Sequence, residues 1–220
     1  MPSSTGQDAK LGNENGKGPA RSSSRIRRTA WRRGQILRAA TELLEREGFH
    51  GMSMSSLAER AGMSVGLVYQ YVSSKEDVLE LVIVDILEAF SREIPPAIAL
   101  HDDPPTQLYA AFAAYCGVID SRRPAVLLTY RESKTLNKAA QKKLMRLEEK
   151  TTRLLADVVD RGVKAGDFIH DDPYLVAYDL AFLAHMWGLK YWYWGRIYTL
   201  DEYVSRQYDF VVRSISTAAR

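Results

Sequence analysis

The stretch Ser53–Val72, SMSSLAERAGMSVGLVYQYV, decides the fold. It reads as two short helices joined by a tight corner. Gly62 supplies the corner, because glycine adopts positive φ without a Cβ penalty, and Ser64 is placed to cap the second helix. One face of the first helix carries its apolar side chains, Leu57, Ala58 and Ala61. This pattern is typical of a helix-turn-helix, whose second helix lies in the major groove of DNA.

The second helix carries the residues expected to read DNA. The amide of Gln70 can pair bidentately with adenine, and the Tyr69 hydroxyl can reach a phosphate. An apolar side chain such as Leu67 can contact a thymine methyl group. Core packing is the alternative for Leu67, Val68 and Tyr71, and we favour it for Val68. The DNA-binding residues predicted within the motif are Ser53, Ser64, Val65, Gly66, Leu67, Tyr69, Gln70 and Tyr71.

Arginines cluster just before the motif, although the formal net charge of the chain is only +3. Residues 21–33 contain no acidic side chain and include Arg21, Arg25, Arg27, Arg28, Arg32 and Arg33. Beside a helix-turn-helix, such a cluster is expected to contact phosphates, so we add Arg32 and Arg33 to the DNA-binding set. A solvated tail or a targeting signal is the alternative.

A longer pattern runs from Ser53 to Lys75. Its matching positions are Ser53, Leu57-Ala58, Ala61-Gly62-Met63-Ser64, Gly66, Tyr69-Gln70-Tyr71 and Lys75. The pattern resembles the DNA-binding domain of the TetR family of bacterial transcriptional regulators, over roughly residues 30–80. Two positions depart from the family: Val65 stands where a basic residue is frequent, and Val72 where Phe is usual. The resemblance implies that Ser53 and Lys75 contact the DNA backbone. Ser53 is also placed to cap the first helix, and the two roles are compatible.

Three regions follow from the composition along the chain. Residues 1–24 are rich in Ser, Gly, Asn and Lys with few large apolar groups, which predicts a disordered basic extension. Residues 25–80 form the predicted DNA-binding domain, supported by a helix from Trp31 to Glu47 that ends at Gly48. Residues 81–220 form the predicted ligand-binding and dimerisation domain.

The remainder of the chain is predicted to be helical. A long helix capped by Ser74 should run to about Arg92, where Pro95 and Pro96 stop it, and would act as a lever between the domains. Further helices are expected at about 105–120, 124–132, 138–165, 171–193 and 201–218. No segment alternates long enough to be a strand, so the predicted fold class is all-α, with an N-terminal three-helix helix-turn-helix domain joined to a larger C-terminal helical domain.

The single cysteine, Cys116, fits a reducing compartment. No secretory signal or membrane span is expected, since the most apolar window, 175–189, is short and contains Asp179 and His185. These features predict a cytoplasmic protein that does not bind membranes.

Two stripes mark the helix expected over 171–193. Small residues recur every three to four positions and permit close helix packing. In the TetR family the last two long helices form the dimer interface, and inner helices enclose the inducer pocket. The resemblance therefore assigns the interface to Ala177, Ala181, Ala184, Gly188 and Tyr208. Ordinary core packing is the alternative for the aromatic residues of this region.

The segment Tyr130-Arg131-Glu132-Ser133-Lys134 places cations at the end of an apolar helix. Arg131 and Lys134 could accept an anionic head group, and the segment is similar to family members that sense acyl-coenzyme A or fatty-acid-like ligands. A helix end with solvated charges is the alternative. The predicted pocket residues are Tyr115, Tyr130, Arg131, Lys134, Tyr178, Phe182, His185, Trp187 and Tyr191.

Patterns for catalysis, cofactors and metals do not emerge from the sequence. Cys116 and His185 are far apart with no nucleophile signature, and there is no phosphate loop or Gly-rich dinucleotide turn. We therefore predict no catalytic residue, no cofactor and no metal.

The sequence thus predicts a homodimeric transcriptional regulator whose partners are double-stranded operator DNA and a small apolar or amphipathic effector. Repression is the commoner mode in the family, and the sequence does not distinguish it from activation. Two alternatives stay open: a helical ligand-binding protein or enzyme using the aromatic C-terminal pocket, and an architectural protein that binds DNA through its arginines alone.

Overall fold

A computed structural model describes residues 19–169 and 172–217, with side chains from residue 27 onward. The described chain forms ten α-helices and one 3₁₀ turn, Ser133–Thr135, and holds no strand. The helices are α1 Pro19–Gly51, α2 Met54–Ala61, α3 Val65–Val68, α4 Lys75–Ile98, α5 Pro104–Ser121, α6 Arg123–Glu132, α7 Lys138–Ala165, α8 Pro173–Leu189, α9 Tyr191–Trp194 and α10 Leu200–Ile215. The predicted all-α class is confirmed.

Helices α1, α2 and α3 form a small N-terminal unit against the first turns of α4. Gly48, at φ 70° and ψ 175°, interrupts α1 before its last turn, so the supporting helix ends where the sequence places a cap. Phe49 then turns into the core, where it is buried beside Leu57 and Val72. The unit is thus closed by a few apolar side chains from each helix.

Helix α4 connects this unit to the rest of the molecule. Ser74 caps it by accepting a hydrogen bond from the backbone N–H of Asp77 at 3.2 Å. Its buried face runs from Val78 to Ile94 and packs against α1 at one end and against α5 and α7 further on. One continuous core therefore joins the two halves of the chain.

The C-terminal part is a bundle in which α5 lies centrally, packed against α4, α7, α8 and α10. Its buried side chains include Leu108, Phe112 and Ile119, none of which is accessible to solvent. Helices α7 and α8 pack against each other as a hairpin joined around Gly166, which takes φ 84° after α7.

Three boundaries differ from the sequence prediction. Helix α4 continues through Pro95 and Pro96 to Ile98, because buried Ile94 holds that turn against the core while the residues that lose hydrogen bonds lie toward solvent. Helix α1 begins at Pro19 rather than at Trp31, and residues 1–18 of the predicted extension lie outside the described part. The helix expected to reach residue 193 ends at Leu189, and α9 follows as a separate turn.

Candidate nucleic-acid interface and ligand cavity

The helix-turn-helix is built by reciprocal hydrogen bonds at its helix ends. The Ser53 hydroxyl accepts from the backbone N–H of Ser56 at 3.0 Å, and the Ser56 hydroxyl accepts from that of Ser53 at 3.0 Å. Gly62 adopts φ 65° in the corner, and the Ser64 hydroxyl accepts from the N–H of Leu67 at 3.2 Å. Both predicted caps are confirmed, so Ser53 and Ser64 orient the motif whatever else they contact.

One side of α3 and the turn after it faces solvent. Val65 and Tyr69 are 39% and 50% exposed, and Gly66 and Gln70 are exposed beside them. Val68 is fully buried, as favoured from the sequence, whereas Leu67 and Tyr71 are half-buried. The structure therefore brings the predicted base-reading residues onto one accessible surface.

The predicted phosphate-contacting side chains lie on α1 and at the start of α4. Arg33 is exposed on α1, and Arg32 donates to the Gln35 side-chain oxygen at 3.0 Å. Lys75 Nζ donates to the His50 carbonyl at 3.1 Å and lies 5.1 Å from the centre of the Phe49 ring. Lys75 thus ties α4 to the end of α1, which leaves its remaining N–H donors for a phosphate. Of the cluster, Arg21 and Arg25 have side chains outside the described part.

The C-terminal bundle encloses a cavity of about 420 Å³ between α4, α5, α6, α7 and α8. Its walls are mainly apolar and aromatic, with several polar groups among them. The lining residues are Ile83, Leu87, Tyr115, Thr129, Tyr130, Ser133, Lys134, Gln141, Leu144, Met145, Glu148, Phe182 and His185. This composition is typical of a small-molecule site.

A polar pair, the buried Tyr115 and the half-buried His185, lies in the cavity wall. The Tyr115 hydroxyl and His185 Nε2 are 3.2 Å apart, and the rings of Tyr115 and Tyr130 both stand edge-to-face to the imidazole. Burial lowers the pKa of His185 to about 4 and raises the pKa of Tyr115, so both side chains are neutral at physiological pH. His185 Nδ1 is buried and has no hydrogen-bond partner within the described chain.

Two charged side chains also line the cavity. Glu148 comes from α7, where desolvation, and then the charge of Glu149, raise the pKa of its carboxyl group. The charge of Glu148 in turn contributes to the raised pKa values of Tyr115 and Tyr130, after the effect of burial. Lys134 lies on the 3₁₀ turn and is exposed at the rim.

The structure brings together Tyr115, Tyr130, Lys134, Phe182 and His185 of the predicted pocket set. The other four, Arg131, Tyr178, Trp187 and Tyr191, do not line this cavity. Trp187 is buried and donates through Nε1 to Asp120 at 2.8 Å, and Tyr191 lies under the Arg123 guanidinium at 3.4 Å. Trp187 thus packs inside the bundle, and Tyr191 on α9 stands edge-to-face to it with ring centroids 5.4 Å apart.

Sequence reasoning missed the contribution of α7 to the cavity. Its lining residues Gln141, Leu144, Met145 and Glu148 recur at helical spacing on one face. That stripe was readable in the sequence, but nothing in it shows whether the face meets a cavity or a packed core.

The predicted dimer residues do not form an accessible surface. Ala177, Ala181, Ala184 and Gly188 are buried inside the bundle, and a Cβ on Gly188 would stand 2.8 Å from Ile119 Cγ2. The stripe serves close packing within one chain, so its assignment to the interface is wrong. Tyr208 is likewise buried and donates its hydroxyl hydrogen to the Pro105 carbonyl.

Large apolar side chains are exposed instead along α8 and α10. Leu175, Phe182 and Phe210 are 53%, 62% and 72% exposed. Phe182 and Phe210 line an open groove of about 580 Å³ between the two helices. Sequence periodicity missed this face because α8 has apolar residues all round.

The described part of the chain forms neither a reactive cysteine site nor a metal-binding site. Cys116 is fully buried, which raises the pKa of its thiol. Within residues 19–169 and 172–217 no three His, Cys, Asp or Glu side chains come close enough to hold a metal ion, and none of these helices is long and apolar enough to cross a membrane.

Comparison with known proteins addresses both parts of the chain. The family model "Bacterial regulatory proteins, tetR family" matches residues 36–82, and the model "Tetracyclin repressor-like, C-terminal domain" matches residues 101–213. Together they span the helix-turn-helix and nearly all of the helical bundle.

Individual relatives agree with these matches. The HTH-type transcriptional regulator HbdR of Aromatoleum sp. (strain CIB) is 35% identical over 188 residues, which is 85% of this chain and 82% of HbdR. A tetR-family regulator from Rhodococcus RHA1 superposes with a TM-score of 0.73 at 20% identity, covering 83% of this chain and 95% of that structure. AibR, solved with isovaleryl coenzyme A and operator DNA, superposes with a TM-score of 0.63 at 17% identity, covering 83% and 97%. The chain therefore belongs to the TetR family of bacterial transcriptional regulators.

Proposed function

We propose that this protein is a homodimeric repressor that binds a pseudo-palindromic operator and releases it when an acyl thioester occupies the cavity. The observation that carries the proposal is the placement of one helix: α4 both lines the cavity, through Ile83 and Leu87, and packs against α1 of the helix-turn-helix. A ligand that favours one position of α4 changes the spacing of two recognition helices in a dimer. The change in DNA affinity is bounded by the ligand's differential affinity for the two states. Such a regulator would act in the cytoplasm, where the DNA is.

The DNA-binding part of the proposed function depends on the solvent-facing side of α3. Tyr69 and Gln70 directly follow α3, whose first turn is held by the Ser64 cap, so their positions are pre-organised for the major groove. Arg33 and the free donors of Lys75 would contact phosphates, which hold the domain in place without reading sequence. A dimer would present this surface twice, which requires two-fold related half-sites.

The ligand class follows from the cavity and from AibR. The cavity is mainly apolar, has room for a short acyl chain, and has Lys134 at its rim, where an anionic nucleotide moiety would lie. AibR, which shares the fold, was solved with isovaleryl coenzyme A. A ligand whose apolar acyl group lies inside the cavity and whose charged carrier lies outside it fits this distribution of lining residues.

A direct test uses the purified full chain at near-physiological salt. Duplexes from the region upstream of its own gene are titrated against a scrambled control, and a specificity ratio of about a thousandfold or more is expected. Hexanoyl coenzyme A is then added to the complex, and DNA release is measured. Equal affinity for both duplexes, confirmed by selection from random sequences, would contradict sequence-specific regulation, whereas specific binding that no acyl thioester weakens would contradict only the effector class.

The variant Gln70→Ala separates base reading from general DNA affinity. A bidentate side-chain contact contributes about 1–3 kcal/mol of discrimination, so the specificity ratio should fall by about five- to 150-fold. Arg33→Ala should instead weaken binding to all duplexes alike and lower the salt dependence, because a phosphate contact carries no sequence information.

A further inference from the structure

The polar groups inside the cavity are more numerous than a plain hydrocarbon chain requires. The Tyr115 hydroxyl and the His185 ring share one hydrogen bond, and both are neutral. If Tyr115 donates, the ring hydrogen is on Nδ1 and has no acceptor; if His185 donates, the Tyr115 hydrogen is left over. Either tautomer leaves one donor of the pair unused among the contacts of the described chain.

An unpaired acceptor lines the same cavity. The Glu148 carboxylate belongs to none of the ion pairs of the described residues, and none of their side-chain hydrogen bonds includes it. Glu148, Tyr115 and His185 line the same cavity, so one ligand can contact all three. Glu148 is exposed but lines the cavity, so its carboxylate can accept a hydrogen bond from a bound ligand.

These two features select the chemistry of the ligand. A hydroxyl group both donates and accepts, so it can give its hydrogen to Glu148 and accept from the Tyr115–His185 pair. An alkyl chain satisfies neither group, and a free carboxylate would be repelled by Glu148. A cationic ligand would satisfy Glu148 but would leave the unused donor of the pair without an acceptor.

We propose that the cavity recognises an acyl group that carries a hydroxyl, held between the Glu148 carboxylate and the Tyr115–His185 pair. The inference rests on the proposed acyl thioester function and narrows it to one class of acyl group. Glu148, Tyr115 and His185 are then the specificity-determining residues, and the apolar walls supply affinity without selectivity.

The test compares hexanoyl coenzyme A with the hydroxyhexanoyl coenzyme A isomers by calorimetry on the full chain without DNA. At least one hydroxylated isomer should bind about ten- to a hundredfold more tightly than hexanoyl coenzyme A, which is the range for a hydrogen bond to a charged group. In Glu148→Leu and in Tyr115→Phe this preference should shrink to near one. Glu149→Leu is the matched control, because Glu149 neighbours Glu148 on α7 but does not line the cavity, and this variant should keep the preference.

Each other outcome has a distinct meaning. Equal binding of hexanoyl and all hydroxyhexanoyl thioesters would overturn the hydroxyl inference and leave the acyl thioester function standing. Binding of none of them would overturn both. Tighter binding of aminohexanoyl coenzyme A would overturn the inference in favour of a cationic group at Glu148. If a folded Glu148→Leu variant still preferred the hydroxylated thioester, Glu148 would not be part of the recognition site.

Discussion

Two glycines of the helix-turn-helix have opposite roles at the scale of single residues. Gly62 adopts φ 65° with open space around a hypothetical Cβ, so Gly62→Ala is opposed by backbone strain alone. We expect a loss of about 1–2 kcal/mol in the free energy of unfolding, measured by urea denaturation. Gly66 lies in α3 with the same open space, so Gly66→Ala should leave stability unchanged or higher and weaken operator binding. Equal stability losses in both variants would contradict this assignment.

His185 should make stability depend on pH. Its pKa is lowered to about 4 in the folded chain by burial, whereas an unfolded histidine titrates near 6.5. Between these values the unfolded chain holds a proton that the folded chain lacks, so stability is lost as pH falls from about 6.5 to about 4, with a slope up to about 1.4 kcal/mol per pH unit.

The variant His185→Gln checks this dependence. Its free energy of unfolding, measured by urea denaturation across the same pH range, should fall less steeply than that of the wild type. Titratable groups that the substitution does not affect contribute equally to both curves, so their contributions cancel when the two proteins are compared. Parallel curves for the two proteins would show that His185 is protonated equally in the folded and unfolded chains.

At the scale of elements, Asp120 joins the ends of three helices. Its carboxylate, at the end of α5, accepts from Arg123 at 2.7 Å on α6 and from the buried Trp187 indole at 2.8 Å on α8. Asp120→Ala leaves the Trp187 N–H unsatisfied, so we expect a loss of about 1–3 kcal/mol in the free energy of unfolding. Asp160→Ala, which breaks the exposed ion pair with Lys164, is the control and should change stability by less than about 1 kcal/mol. Similar losses in both would contradict the role of Asp120.

Local signals predicted the elements well where one residue type dictates the backbone. Ser53, Ser64 and Ser74 cap helices as expected, and Gly48 and Gly62 end them with positive φ. The sequence pattern predicted helix ends wrongly where tertiary packing determines them. Helix α4 runs through two prolines because its buried face outweighs the lost hydrogen bonds.

The sequence also failed to predict which neighbour the small-residue face of α8 packs against. Small residues on α8 permit close approach of any helix, and periodicity does not show whether that helix belongs to the same chain. Gly188 packs against Ile119 of its own α5. Of the predicted pocket residues, Tyr115, Tyr130, Lys134, Phe182 and His185 line the cavity. Whether they bind a ligand stays a prediction.

At the scale of the whole molecule, the exposed apolar side chains along α8 and α10 explain why the chain should dimerise. A groove lined by Phe182 and Phe210 is costly to leave in water, and self-association of two such faces would bury it. Phe182 lines both this groove and the cavity between α4 and α8, so a dimer formed through the groove would share a side chain with the cavity. Dimerisation and ligand binding are therefore expected to influence each other.

Phe210→Glu tests this face. A central apolar anchor contributes about 2 kcal/mol or more to an interface, so the dimer dissociation constant should rise by at least about thirtyfold, measured by analytical ultracentrifugation. The side chain is 72% exposed in the single chain, so the monomer should keep its fold by circular dichroism. Leu100→Glu replaces a residue that is 80% exposed but outside the groove and should leave the dimer intact.

Because an operator with two half-sites is bound tightly only by two linked recognition helices, Phe210→Glu should also lose operator affinity while keeping its fold. A Phe210→Glu variant that dimerises like the wild type would place the interface elsewhere on the bundle.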